Sequence, residues 1–342
     1  MEISSGKILE DKVEWVKFSN ISWLNDEGFY YSHYSAPEKG KEYSGKNEYH
    51  KISFHKIGDN AVNDQLIYED KKFPLRNFSA ALTDDSKYLA ISTTESTTGN
   101  ALLVKEMNSE KINNSIELIT DFKSDWNVID HVGSELLILT NNNASNSRLI
   151  AVDMKNPDVT KAREILPESE DLLESVTLCD GKLICNYLHH VSSLVKIYDL
   201  KGKLINTIEL PTIGKVDNIH SDIDDKFAYF DFVTFTAPAS VYKYDITKNK
   251  LELIFKPKLD LNYIFLEELS PAEMYEIPLT SKVLFEPGNF IDIGEPITEG
   301  TIDIHELLNM LGTNLIIYHG TAAAFSISEA SNPCFCRDMS YS

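Results

Sequence analysis

The residues with the most obvious chemical potential are His189 and His190 beside Cys185, and Cys334-Phe335-Cys336 with His319. The first group has the makings of a thiol-imidazole pair or a metal cluster. On a strand, however, neighbouring side chains point to opposite faces, so two adjacent histidines do not serve one ion without a bulge. The second group has two cysteines separated by a single residue and lacks further ligands at zinc-site spacing. No metal or other cofactor is expected from either. Serine, histidine and aspartate are plentiful, but a catalytic triad is defined by geometry rather than abundance. No Gly-x-Ser-x-Gly motif, the sharp turn that exposes an α/β-hydrolase nucleophile, occurs in the chain, so no catalytic residue is assigned. The run TTESTTGN (93–100) is dense in hydroxyls, and Phe29-Tyr30-Tyr31 with Phe230, Phe232 and Phe235 supply aromatic surface. Both groups have plainer readings: loop residues satisfying their own backbone, and packing between sheets.

The elements that must position these residues recur along the chain. Turn signals followed by apolar-aromatic runs begin at NDEGFYYSHY (25–34), DDSKYLAIS (84–92), GSELLILT (133–140), DGKLICNY (180–187) and DDKFAYFDF (224–232). Each is followed across a polar loop by a second strand-like run: YHKISFHKIG (49–58), ALLVKEM (101–107), RLIAVDM (148–154), LVKIYDL (194–200) and VYKYDI (241–246). A third run closes most units, at LIYE (66–69), IELIT (116–120), INTIEL (205–210) and LELIF (251–255). A leading run such as VKFSNISWL (16–24) or FSAALT (78–83) makes a fourth. Four strands per unit at a period of about 45–60 residues predict an all-β fold, a β-propeller of about five blades over residues 1–256. No segment before about residue 265 has an apolar period of helical length. TTESTTGN falls between the second and third strands of its blade, as NNNASNS (141–147), LHHVSS (188–193) and VTFTAPAS (233–240) do in theirs.

The stretches VEWVKFSNISWLNDEGFYYSHY, HKISFHKIG, SRLIAVDMKNPD, LPESEDLLESVTLCDGKLICNYLHHVSSLVKIYDL and FTAPASVYKYDITKNKLEL resemble the propeller of the prolyl oligopeptidase family, serine endopeptidases that cleave short peptides after proline. The resemblance spans residues 8–256, loops as well as strands. It implies a seven-bladed type of propeller, of which this chain supplies blades three to seven, covering an α/β-hydrolase domain that the chain does not supply. The expected role is thus a non-catalytic gate or substrate filter. The alternative is a stand-alone propeller that binds peptides or proteins. Expected partners are short peptides or a hydrolase domain. Candidate gating residues are Tyr31, Asn142 and Arg148. In the family, the loop that here reads LTNNNASNSRLI carries a substrate-binding arginine, whose aligned residue is Asn142. Arg148 matches a second arginine of the motif, at a strand start where a structural role is expected.

Residues 257–342 are read as a separate, irregular α+β tail. LSPAEMYEIPLTSKVLFEPGNFIDIGEPITEGTIDIHELLNMLG (269–312) suggests two short strands and then a helix from Asp303 to Leu311, with Asp303 and Glu306 as a capping box. That stretch resembles a segment of the RNA polymerase β′ subunit, without the subunit's metal-binding aspartate motif, and makes a transcription-related fragment the third reading. A fused or frameshifted origin for the tail follows as a hypothesis.

Fifty-three acidic against thirty-two basic residues give a net charge of −21, which opposes binding to a phosphate backbone or an anionic membrane. Four cysteines in 342 residues fit a reducing compartment better than a disulfide framework. With no apolar signal segment at the N-terminus, the expected location is cytoplasmic, or periplasmic should a further N-terminal segment exist. Five blades without ring closure are expected to leave apolar blade faces open, favouring self-association.

Overall fold

The computed structural model describes residues 2–41, 44–107, 115–234 and 237–257, together with the backbone of two short strands at Leu315–Tyr318 and Ala323–Ser326. Five four-stranded sheets follow one another along the chain. The first holds β1 (Val16–Leu24), β2 (Gly28–His33), β3 (Lys51–Lys56) and β4 (Gln65–Glu69). The second holds β5 (Asn77–Leu82), β6 (Tyr88–Thr94), β7 (Ala101–Glu106) and β8 (Ser115–Ile119). The third holds β9 (Trp126–Val132), β10 (Glu135–Thr140), β11 (Arg148–Asp153) and β12 (Arg163–Leu166). The fourth holds β13 (Leu172–Cys179), β14 (Lys182–His189), β15 (Ser192–Tyr198) and β16 (Leu204–Thr207). The fifth holds β17 (Lys215–His220), β18 (Phe227–Val233), β19 (Ser240–Asp245) and β20 (Lys250–Phe255). In every sheet the strands lie side by side in chain order, the arrangement of propeller blades. Among the described residues there is no α-helix, only 3-10 turns at Ala61–Asn63 and Val159–Lys161.

In the inner sheets the apolar runs form strands buried on both faces, because the second strand packs against the sheet before it and the sheet after it. In β10, Leu136 and Ile138 join Tyr88, Ala90, Leu102 and Val104 of the second sheet. Leu137 and Leu139, one residue out of phase, join Leu173, Val176 and Leu183 of the fourth. In β6, Leu89 and Ile91 pack with Tyr30 and Ile52 of the first sheet, while Tyr88 and Ala90 face the third. Period-two side-chain alternation thus turns one uninterrupted apolar run into two interfaces. Each fully buried Leu or Ile contributes about 1.5–3 kcal/mol. The outer strands lack a second neighbour, and Leu204 and Ile205 of β16 are correspondingly exposed.

Hairpin turns fix the register. Asp180 and Gly181 join β13 to β14 with φ of 49° and 63°, the left-handed pair that a two-residue turn of type I′ requires. The β14–β15 turn uses His190 and Val191 with φ of 45° and 62°. A β-branched residue there is strained.

The chain divides into two compact units, Met1–Phe230 with Tyr242–Glu252, and Asp231–Val241 with Leu253–Ser342. In the second, β21 (Leu315–Tyr318) and β22 (Ala323–Ser326) form an antiparallel pair. That pair lies in a stretch for which the sequence offered no assignment. The strands and the Asp303–Leu311 helix expected within 269–312 lie outside the described residues, as do Phe235, His319, Cys334 and Cys336.

Candidate functional site

The loops joining second to third strands converge with the starts of the next sheets. At the centre of one such junction lies Asp125, just before β9. Its carboxylate accepts from the Gly99 N–H at 2.7 Å and from Asn141 Nδ2 at 2.7 Å, and its own N–H donates to Asn141 Oδ1 at 2.8 Å. The Thr140 hydroxyl donates to the Asp125 carbonyl at 2.7 Å and accepts from the Asn142 N–H at 3.1 Å. Asn142 Nδ2 in turn reaches Ser124 Oγ at 3.3 Å. Beside this network, between the third and fourth sheets, is a cavity of about 330 Å3 lined by Asp125, Asn127, Thr140, Asn141 and Glu174 over a floor of leucines. Its polar lining consists of carboxylates, amides and hydroxyls, with no cationic side chain. It is suited to hydrogen-bond donors such as peptide N–H groups and ammonium, rather than to a carboxylate.

The hydroxyl-rich run belongs to this junction as structure. Gly99 sits at φ +74°, and a Cβ there would lie 1.9 Å from the Phe122 carbonyl oxygen, so only glycine allows the approach. Glu95 pairs with Arg76, whose Nη2 is 2.6 Å away and whose guanidinium stacks 3.7 Å from the Phe73 ring centre. Arg76 also reaches Asp70 at 3.2 Å, tying the run to the end of the first sheet.

Of the three candidate gating residues, only Asn142 lies in this network. Tyr31 is in β2, 4% exposed, and its hydroxyl donates to Asp64 Oδ2 at 2.7 Å. Burial, reinforced by that carboxylate, pushes its phenol pKa upward. It is a core residue with no face for a peptide. Arg148 begins β11 and pairs with Glu164 of the neighbouring β12 at 3.1 Å, a cross-strand contact. Phe29, Tyr30, Phe230 and Phe232 are buried packing groups.

The expectation that His189 and His190 point apart fails. His189 ends β14 and His190 enters the left-handed turn, which brings the rings to 4.2 Å in an edge-on contact. His189 Nδ1 is held by Asp171 at 2.7 Å. Cys185 is fully buried, and burial raises its thiol pKa. No group of three metal-ligating side chains occurs among the described residues.

Sequence reasoning missed a recurring clamp. At or just before the third strand of each of four sheets, an acceptor takes the N–H at the head of the next sheet's first strand. His50 Nδ1 takes Phe78 at 2.9 Å, Asn100 Oδ1 takes Trp126 at 2.7 Å, the Asn146 carbonyl takes Leu173 at 2.9 Å, and Ser193 Oγ takes Val216 at 2.9 Å. It also missed buried His55, whose ring nitrogens face Asp64 at 2.8 Å and Asp11 at 3.3 Å, holding the N-terminal segment on the first sheet.

The model of the prolyl oligopeptidase N-terminal β-propeller domain matches residues 1–257. The chain belongs to the prolyl oligopeptidase family. It is 35% identical to the prolyl endopeptidase of Elizabethkingia meningoseptica over 262 residues, which is 77% of this chain and 37% of that protein. Against the dual function macrocyclase-peptidase of Galerina marginata it is 26% identical over 250 residues, 70% of this chain and 33% of the relative. A solved prolyl endopeptidase structure superposes with a TM-score of 0.65 at 29% identity, covering 75% of this chain and 36% of the other. A prolyl oligopeptidase B structure from Galerina marginata, 24% identical with a TM-score of 0.66, shares the fold. The prolyl oligopeptidase match is thus to the propeller, and the chain spans about a third of these relatives' length. The polymerase resemblance of 269–312 finds no support in these comparisons. Among the described residues no helix is long and apolar enough to cross a membrane.

Proposed function

We propose that this chain acts as the gating propeller of a prolyl oligopeptidase-type serine peptidase, limiting a hydrolase domain to short peptides. The observation that carries this reading is the family match across residues 1–257, realised in five four-stranded sheets. The cavity lined by Asn141, the residue before Asn142, supports it, because its carboxylates and amides offer acceptors and donors to a peptide backbone. Asn142 is the residue proposed to face the peptide. With a neutral amide where the family's motif has a guanidinium, it holds a substrate carbonyl more weakly. The net charge of −21 argues against nucleic acid or an anionic membrane as partner.

The test is hydrolysis of a proline-containing chromogenic peptide. The pure chain is expected to give no turnover. Added to a separately produced prolyl endopeptidase hydrolase domain, it is expected to bind and to suppress cleavage of long unfolded chains while sparing short peptides. Turnover by the pure chain, or no effect on the size preference, overturns the proposal.

A second reading, a stand-alone binding module, is favoured by the apolar face of β1, where Phe18 is 68% and Ile21 and Trp23 are 56% exposed. Binding to peptides with no effect on an added hydrolase domain distinguishes it.

A further inference from the structure

The β14–β15 turn of the fourth sheet brings two imidazoles together on the surface. Along an extended strand His189 and His190 would face opposite ways, but the chain turns left-handed at His190 and Val191, with φ of 45° and 62°. The rings meet at 4.2 Å between centres, with their planes 63° apart. The Ser192 hydroxyl donates to the His189 carbonyl at 2.8 Å and closes the turn around them. Leu172 and Leu188, one residue from Asp171 and His189 respectively, pair across β13 and β14, and Leu172 lines the larger cavity. The imidazoles thus stand one residue beyond that cavity's lining.

The two rings differ in what holds them. His189 Nδ1 lies 2.7 Å from Oδ1 of Asp171, just before β13, and a carboxylate in that place accepts the Nδ1 proton. The Nε2 lone pair is then free, as in sites where a carboxylate behind a histidine orients it toward a metal ion. Asp171 pairs with no lysine or arginine among the described residues, so its charge is committed to this imidazole. His190 is exposed, and its ring makes no hydrogen bond or ion pair among the described residues. The spacing selects a class of ion. Metal–imidazole bonds are about 2.0 Å long, so two rings bound to one ion at a right angle have centres about 4.5 Å apart, and at a tetrahedral angle about 5 Å apart. The observed 4.2 Å is nearer the right angle, the geometry of Cu2+ and Ni2+ with nitrogen ligands rather than of a structural Zn2+ site.

We propose that His189 and His190 form a surface site for a copper(II)-type ion, Cu2+ or Ni2+, bound by both imidazoles. Asp171 positions the first ring and does not itself coordinate. No third metal-ligating side chain joins the pair among the described residues, so water completes the coordination.

The test is titration of the full chain with CuCl2 at about pH 7.5, where imidazole is neutral and free to coordinate, read by electron paramagnetic resonance. The tightest-bound Cu2+ is expected to couple to two ring nitrogens. His189→Gln and His190→Gln are each expected to weaken its binding at least about tenfold and to leave coupling to a single ring. Asp171→Asn is expected to weaken binding about tenfold while both rings stay coupled. His220→Gln, which removes an exposed histidine of the fifth sheet, is expected to change nothing. In the wild-type chain, substoichiometric Cu2+ is expected to broaden the Val191 and Ser192 amide signals first, a measurement that depends on no variant folding. Broadening centred elsewhere overturns the proposal, as does coupling to one ring nitrogen in the wild type or a tightest site that survives both histidine substitutions. Wild-type affinity in Asp171→Asn overturns the positioning role of Asp171.

Discussion

Gly99 carries the sharpest demand for a single residue type. Gly99→Ala places a methyl inside the Phe122 carbonyl at a left-handed φ, and a loss of about 2–4 kcal/mol in denaturant unfolding is expected. Gly58, at φ +82° with open space around its missing Cβ, is the control. Gly58→Ala is expected to cost about 1 kcal/mol. A similar cost at both positions would show that backbone conformation rather than the Phe122 contact governs Gly99. At the β14–β15 turn the expectation is a gain. Replacing His190-Val191 by Asn-Gly relieves a β-branched residue at φ 62° and is expected to add about 1 kcal/mol, seen as a raised Tm. Asp84 gives a pH dependence whose sign can be worked out. Burial, with the Asp130 charge second, raises its folded pKa to about 6, above the ordinary carboxylate range, so the folded chain retains a proton that the unfolded chain has already lost. Its contribution to stability therefore falls as pH rises from about 4 to about 6 and is flat above that range. The Tm advantage of Asp84→Asn over wild type is expected to widen through that interval. A difference constant from pH 4 to 7 refutes this.

Individual strands explain what could be read in advance. Second strands of the inner sheets were legible because burial on both faces yields apolar runs such as ELLIL in β10 and YLAI in β6, and third strands such as β15 because buried and half-buried positions alternate along them. Three leading strands were not. WNVIDHV in β9 and KVDNIH in β17 carry polar groups on partly exposed positions, and β13, LLESVTLC, interrupts its apolar residues with Glu174 and Ser175. The short outer strand β12, REIL, also went unread, because charged, exposed Arg163 and Glu164 leave it only two apolar residues. The clamp escaped for a different reason. Its acceptors are an imidazole, an amide, a backbone carbonyl and a hydroxyl, so what recurs is an oxygen or nitrogen lone pair at one place rather than a residue type. Asn141 and Asn142, by contrast, were placed correctly in their loop, while the cavity beside them depends on β13 and was invisible without it. For the clamp, Asn100→Ala leaves the buried Trp126 N–H without its acceptor, and a loss of about 1–3 kcal/mol is expected, with faster exchange at that amide. Unchanged exchange at Trp126 would show that the bond is dispensable.

For the molecule as a whole, the apolar face of β1 opposes a net charge of −21. Charge repulsion is screened by salt and apolar contact is not, so light scattering is expected to show self-association that strengthens as salt is raised. Phe18→Ser with Trp23→Lys is expected to weaken it. A monodisperse wild-type monomer at high salt would rule out this face as an association surface. The clamp has one further implication. Every bond in the series runs the same way, from a lone pair on an earlier sheet to an amide on a later one. As the polypeptide leaves the ribosome, each of the first four sheets already presents the acceptor that its successor's first strand needs, while its second apolar face stays open until that successor arrives.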